Sequence, residues 1–136
     1  MAIFVATDFS VTINGSTALS QYLTQVELKT TANDVTTTAF GSSWVTRGAG
    51  LKEGSLTLTF NQDYATSTVD ATLWALLGTN ATVVIKPTST AVSASNPSYT
   101  VPVSVIDYTP VSGQIGDLAT LSITLPTNGA VSRATA

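Results

Sequence analysis

The period of the apolar residues changes only once in this chain. From Ser55 to Gln62 it is two: Leu56, Leu58 and Phe60 share one face, and Ser55, Thr57, Thr59 and Asn61 the other, as in a half-buried strand. From about Ser67 the apolar positions become Val69, Leu73, Leu76 and Leu77, spaced as on one face of a helix. Ser67 stands three residues before Asp70, an N-cap with a carboxylate in the first turn. Gly78 follows the last apolar residue, where a left-handed C-cap favours glycine. The spacing predicts one helix of about three turns whose residues Val69, Leu73, Leu76 and Leu77 pack on a sheet.

Elsewhere the alternation is that of strands. Phe9, Val11 and Ile13 alternate before Asn14-Gly15, a hairpin signal. Val26, Leu28 and Thr30 make a strand face, with a bulge expected before Val26. Val83 and Ile85 lie in a strand that Pro87 ends. Tyr99, Val101, Val103 and Val105 share one face, with Ile106 and Tyr108 on the other, and Pro102 marks an edge or a bulge. Residues 110–117 read as a turn, and Leu121, Ile123 and Leu125 form a last apolar face. About seven strands and one helix fit a mainly β fold, an antiparallel β-sandwich or barrel with one flanking α-helix that covers an open edge.

The 136 residues suit one domain over 1–136, with no linker or internal repeat. Residues 1–9 are expected to form an N-terminal arm, 33–53 a long loop, and 127–136 a polar C-terminal tail. The 33–53 stretch is rich in Gly and Ser yet carries Trp44, Val45 and Leu51. Long loops in compact domains are often functional, and tryptophan is favoured at contact centres. Trp44 either serves such a contact or folds back on its own core.

Composition removes several classes of chemistry. Without cysteine or histidine there is no disulfide, thiolate zinc site, cysteine nucleophile or Ser-His-Asp triad. The eight carboxylates show no spacing that requires convergence, and neither a calcium loop nor a phosphate-binding glycine motif occurs. No catalytic, cofactor or metal residue is therefore expected. Lys29, Arg47, Lys52, Lys86 and Arg133 are dispersed in a chain of net charge −3, which disfavours gripping nucleic acid through its phosphates. No apolar run is long enough to span a membrane, and the opening MAIFVATDFS lacks the charged region of a signal peptide. A cytoplasmic site of folding is expected. With 25 Thr and 15 Ser, the exterior is polar with little charge, which favours close packing against copies of itself.

The order of these features resembles a known family. The strand GSLTLTFNQDYA (54–65), the helix VDATLWALLG (69–78) and the closing GDLATLSITLPTNGAVSRATA (116–136) are similar to the tail tube, or major tail, proteins of long-tailed bacteriophages, those of actinobacterial phages especially. The resemblance implies a non-enzymatic virion protein, made in the host cytoplasm. Six copies would close into a ring by strand pairing, and rings would stack into a tube through a long loop and terminal arms. The tube would enclose a tape measure protein, meet a tail terminator and let DNA pass without specific binding. Residues 33–53 match the inter-ring loop, with Trp44, Val45, Arg47 and Leu51 as its contacts. Two other readings stay open: a phage capsid decoration or head-tail connector protein, and a carbohydrate-binding β-sandwich, although no aromatic platform is apparent.

Overall fold

A computed structural model describes residues 3–15 and 17–136. Two antiparallel sheets face each other across the core. The first has the order β2 (Thr17–Ala18), β1 (Ser10–Ile13), β5 (Asn80–Lys86), β6 (Ser98–Ser104) and β8 (Ser132–Ala134). The second has the order β3 (Leu23–Thr36), β4 (Arg47–Asn61) and β7 (Thr120–Pro126). One α-helix, α1 (Val69–Leu76), and a short 3-10 turn at Ser20–Tyr22 complete the described elements.

The alternating apolar residues meet in rows. In the three-stranded sheet Val26, Leu58 and Ile123 lie side by side, as do Leu28, Leu56 and Leu125. Leu56, Leu58 and Phe60 are fully buried, and Val83, Val101 and Val103 close the core from the other sheet. At the Asn14-Gly15 turn both residues have positive φ (53° and 74°), the conformation that favours this dipeptide in hairpins. The expected bulge is present as a register shift between Leu23 and Gln25.

Helix α1 lies at one end of the sandwich, where the chain leaves β4 for β5. It is shorter than the spacing predicts, eight residues, and its N-cap is Thr68 rather than Ser67. The reason is local. Asp63 Oδ1 accepts from the Ala65 amide (2.9 Å), Thr68 Oγ1 donates to the Ala65 carbonyl (2.6 Å), and Ser67 turns into the left-handed region at φ 61°. The Asp63 carbonyl accepts the Asp70 amide (3.1 Å), so backbone instead of a side-chain cap satisfies that helix donor. Val69 and Leu73 are buried and Leu76 is half-buried against the core, whereas Leu77 is the C-cap and 39 % exposed. Gly78 has φ +84° and donates its amide to the Val105 carbonyl (2.7 Å), fastening the helix end to the segment that follows β6.

Three stretches differ from expectation. The segment 33–53 is largely strand: β3 and β4 pair from Leu23↔Phe60 to Thr36↔Arg47, leaving only 37–46 as the connection. In the 127–136 tail, Ser132–Ala134 pairs with β6 and Val131 packs on the core, so the tail completes a sheet. Tyr108 is buried, because β6 stops at Ser104 and the face assignment by alternation stops with it. Of the proposed arm, residues 1–2 lie outside the described residues. Residues 3–9 contain no strand, and Asp8 Oδ2 accepts from the Ser89 amide (3.0 Å) and hydroxyl (2.7 Å). Those two bonds hold the Asp8 carboxyl below its ordinary range.

Candidate assembly surfaces

The β3–β4 hairpin outgrows its sheet. β7 pairs with β4 only from Asn61 to Ser55, and Thr127 then donates its amide to the Gly54 carbonyl (3.0 Å). Beyond Gly54 the two hairpin strands continue without a third, for about seven residues each, or roughly 20 Å at the rise of a strand. Nearly every residue there is exposed on both faces. The hairpin holds itself together. Its ladder is continued by the Thr37 amide on the Thr46 carbonyl (2.9 Å), the Thr46 amide on Thr38 Oγ1 (2.9 Å), and an exposed ion pair between Arg47 and Asp34.

This projection carries all four of the loop residues singled out from sequence. Trp44 and Val45 sit in the connection, Arg47 opens β4, and Leu51 lies on β4. Trp44 is 83 % exposed and Phe40 beside it entirely so, while Val45 and Leu51 are exposed as well. These apolar side chains lie on a strand pair with no core beneath it, and nothing in their own subunit covers them. Phe40 is not among the residues singled out from sequence. Its position directly before the Gly41 turn is the signal that would have found it.

At the base of the hairpin the two sheets part, leaving an open groove of about 1140 Å³. Val26, Leu28, Ile85 and Val131 form its floor, and Lys52, Glu53 and Arg133 are among its lining residues.

The opposite end is built differently. Helix α1 closes it, and the segment between β6 and β7 is pinned there by three side chains. Tyr108 donates to Asp70 Oδ1 (2.8 Å), and Gln62 Nε2 (2.9 Å) and the Tyr64 hydroxyl (2.7 Å) both donate to the Pro110 carbonyl. Burial pushes the Tyr108 hydroxyl up to about 12, the Gln62 bond opposes this, and the Asp70 carboxylate adds to it. The pinned segment turns Ile106, Val111, Ile115 and Leu118 outward. From sequence, 110–117 reads as a plain turn. The signal available was an isoleucine placed amid Gly113, Gly116 and polar residues.

The outward face of the three-stranded sheet is lined by hydroxyls and amides in cross-strand rows: Gln25, Thr59 and Ser122, then Glu27, Thr57 and Thr124. In the rows that all three strands share, its only charges are Glu27 and Lys29, of opposite sign. The end strands of this sheet are β3 and β7. Among the described residues no group of three or more Asp or Glu could hold a metal ion, and no helix is long and apolar enough to cross a membrane.

The fold of this chain is similar to that of chains in solved assemblies. A chain of the virion of a native gene transfer agent particle superposes with a TM-score of 0.71 at 16 % identity, over 93 % of this chain and 95 % of that one. A chain of the tail of an empty gene transfer agent particle with C6 symmetry gives 0.65 at 19 % identity, over 94 % of both. No protein-family model matches the sequence, and neither does any curated protein. The fold is thus one found in the virion and the tail of gene transfer agent particles.

Proposed function

We propose that this protein is a tail tube protein of a phage-like particle, a non-enzymatic subunit that closes into six-membered rings and stacks them into a conduit for DNA. The likeness over nearly the whole chain to a chain from a C6-symmetric tail carries this reading. Two features of the chain support it. The free edges of β3 and β7 bound one sheet, so antiparallel or parallel pairing of one copy's edge with the next would extend that sheet around a ring and remove edges that otherwise invite aggregation. The hydroxyl-lined face of that sheet would then line the lumen, polar and nearly neutral, with little to hold a passing phosphate backbone. Trp44, Val45, Arg47 and Leu51, on the projecting hairpin, would make the inter-ring contact. In a completed tail the tube would surround a tape measure protein and end at a terminator.

Electron microscopy of the purified protein, with light scattering across concentration, tests this. Six-fold rings or hollow tubes are the expected result. A monomer at every concentration would overturn self-assembly and favour a capsid decoration protein, to be tested by incubation with undecorated capsids.

A further inference from the structure

The two ends of this sandwich differ in charge as sharply as in shape. All five basic side chains lie toward the hairpin end: Lys29 at the last row of the body, Arg47 and Lys52 on the hairpin, Lys86 at the end of β5 and Arg133 on β8. Three of the eight acids, Asp8, Asp34 and Glu53, accompany them, and Glu27 lies at mid-sheet. The other four, Asp63, Asp70, Asp107 and Asp117, all lie at the helix end, with no base among them. The antiparallel register makes these ends true opposites. Asn61 pairs with Thr120 at one limit of the sheet, and Gly54 meets Thr127 at the other.

Each end also presents apolar side chains that its own copy leaves uncovered. The hairpin offers Phe40, Trp44 and Val45. The helix end offers Val111, Ile115 and Leu118 on a segment tied to the body at both of its ends, by the Tyr108–Asp70 and Gln62–Pro110 bonds at one and by the Gln62 amide on the Ala119 carbonyl at the other.

We infer that the 105–119 segment at the acidic helix end is the receptor for the hairpin tip of a second copy in the next ring. The inference rests on the tail tube reading and adds the missing half of its axial contact. The charge division orients it: the end that carries every base approaches the end that carries only acids, and like ends repel. The contact joins two different surfaces of the same chain lying at opposite ends, so it repeats without closing and produces an open stack of defined polarity.

Two double variants at exposed positions test it. The first, Phe40→Asp with Trp44→Asp, removes the tip. The second, Ile115→Asp with Leu118→Asp, removes the receptor. Each purified alone is expected to stop at single rings where the unaltered protein forms tubes. Rings of the two variants, prepared separately and mixed, are expected to pair into double rings and grow no further, because each retains the half the other lacks. Tubes of ordinary length from either variant, or a mixture that stays as single rings, would overturn the inference while leaving the tail tube reading intact. Absence of rings and tubes from the unaltered protein would overturn both.

A second measurement covers the case in which the aspartates disturb folding. The chain has no cysteine, so Trp44→Cys with Ile115→Cys places the only two thiols. Treating assembled tubes with a short bis-maleimide is expected to give a ladder of covalent multimers on a denaturing gel. A ladder supports the inference, and products no larger than those of each single-cysteine variant would overturn it.

Discussion

Tyr108 donates its phenolic hydrogen to Asp70 Oδ1 at 2.8 Å, joining the segment after β6 to the first turn of the only α-helix among the described residues. The bond spans 38 positions of sequence and is one of the three side-chain ties that shape the acidic end. It also places a titratable phenol in the core.

That placement sets a pH dependence. Folding favours the neutral phenol, since its value rises from 10.0 to about 12. The corresponding stability is intact below pH 10 and is lost as pH climbs through about 12. Circular dichroism during alkaline titration should show unfolding begin in that window. Tyr108→Phe should cost about 1–2 kcal/mol at neutral pH through the lost hydrogen bonds and should remove this contribution to the alkaline transition.

Leu73 is buried beneath the helix. Leu73→Ala should cost about 2–5 kcal/mol through lost transfer energy and the cavity left behind. Leu73→Asp should prevent folding, because a charge would then lie in the core without a partner. Denaturant unfolding of the alanine variant and the solubility of the aspartate variant check these outcomes. A normally folded aspartate variant would show that the helix does not seal the core.

Gly54 stands where the hairpin leaves the body. A Cβ there would lie 2.7 Å from the Lys29 carbonyl oxygen, an approach that neither backbone can relieve by turning a side chain. Gly54→Ala should therefore destabilise by about 1–3 kcal/mol, the range for an overpacked site. Thermal unfolding reads the loss, and faster hydrogen exchange at Thr30 and Thr127 would locate it.

Trp44→Ala should leave the melting temperature of the unassembled subunit nearly unchanged, within about 0.5 kcal/mol in stability, as for other surface substitutions, and should shorten tubes. A large drop in subunit stability would instead make Trp44 part of the core.

Asp34→Ala should also change subunit stability little, by less than about 1 kcal/mol. The Asp34–Arg47 pair is more than half exposed at both side chains. Stability at low and high salt, compared with the unaltered protein, checks this.

Much of the body was legible without coordinates, for a physical reason. Where one face of a strand meets the core and the other meets solvent, burial imposes a period of two, and Leu56, Leu58, Phe60, Leu121, Ile123 and Leu125 declare their strands and their inward face. Asn14-Gly15 and Gly78 were equally readable, since positive φ selects few residue types. The absence of histidine and cysteine bounded the chemistry by itself.

The tertiary structure alone decided the rest. The distal hairpin has solvent on both faces, so no alternation marks it. Residues 33–53 read as a loop although the backbone ladder runs through most of them. Tyr108 lost its expected side once β6 ended four residues earlier. Ser132–Ala134 became a strand because β6 offered an unpaired edge, not because those residues demanded one. The division of charge between the two ends exists in no window of the sequence. It arises when antiparallel strands return Lys86, Arg133 and Lys29 to one end and carry Asp63, Asp70, Asp107 and Asp117 to the other, and only the folded chain brings these distant positions together.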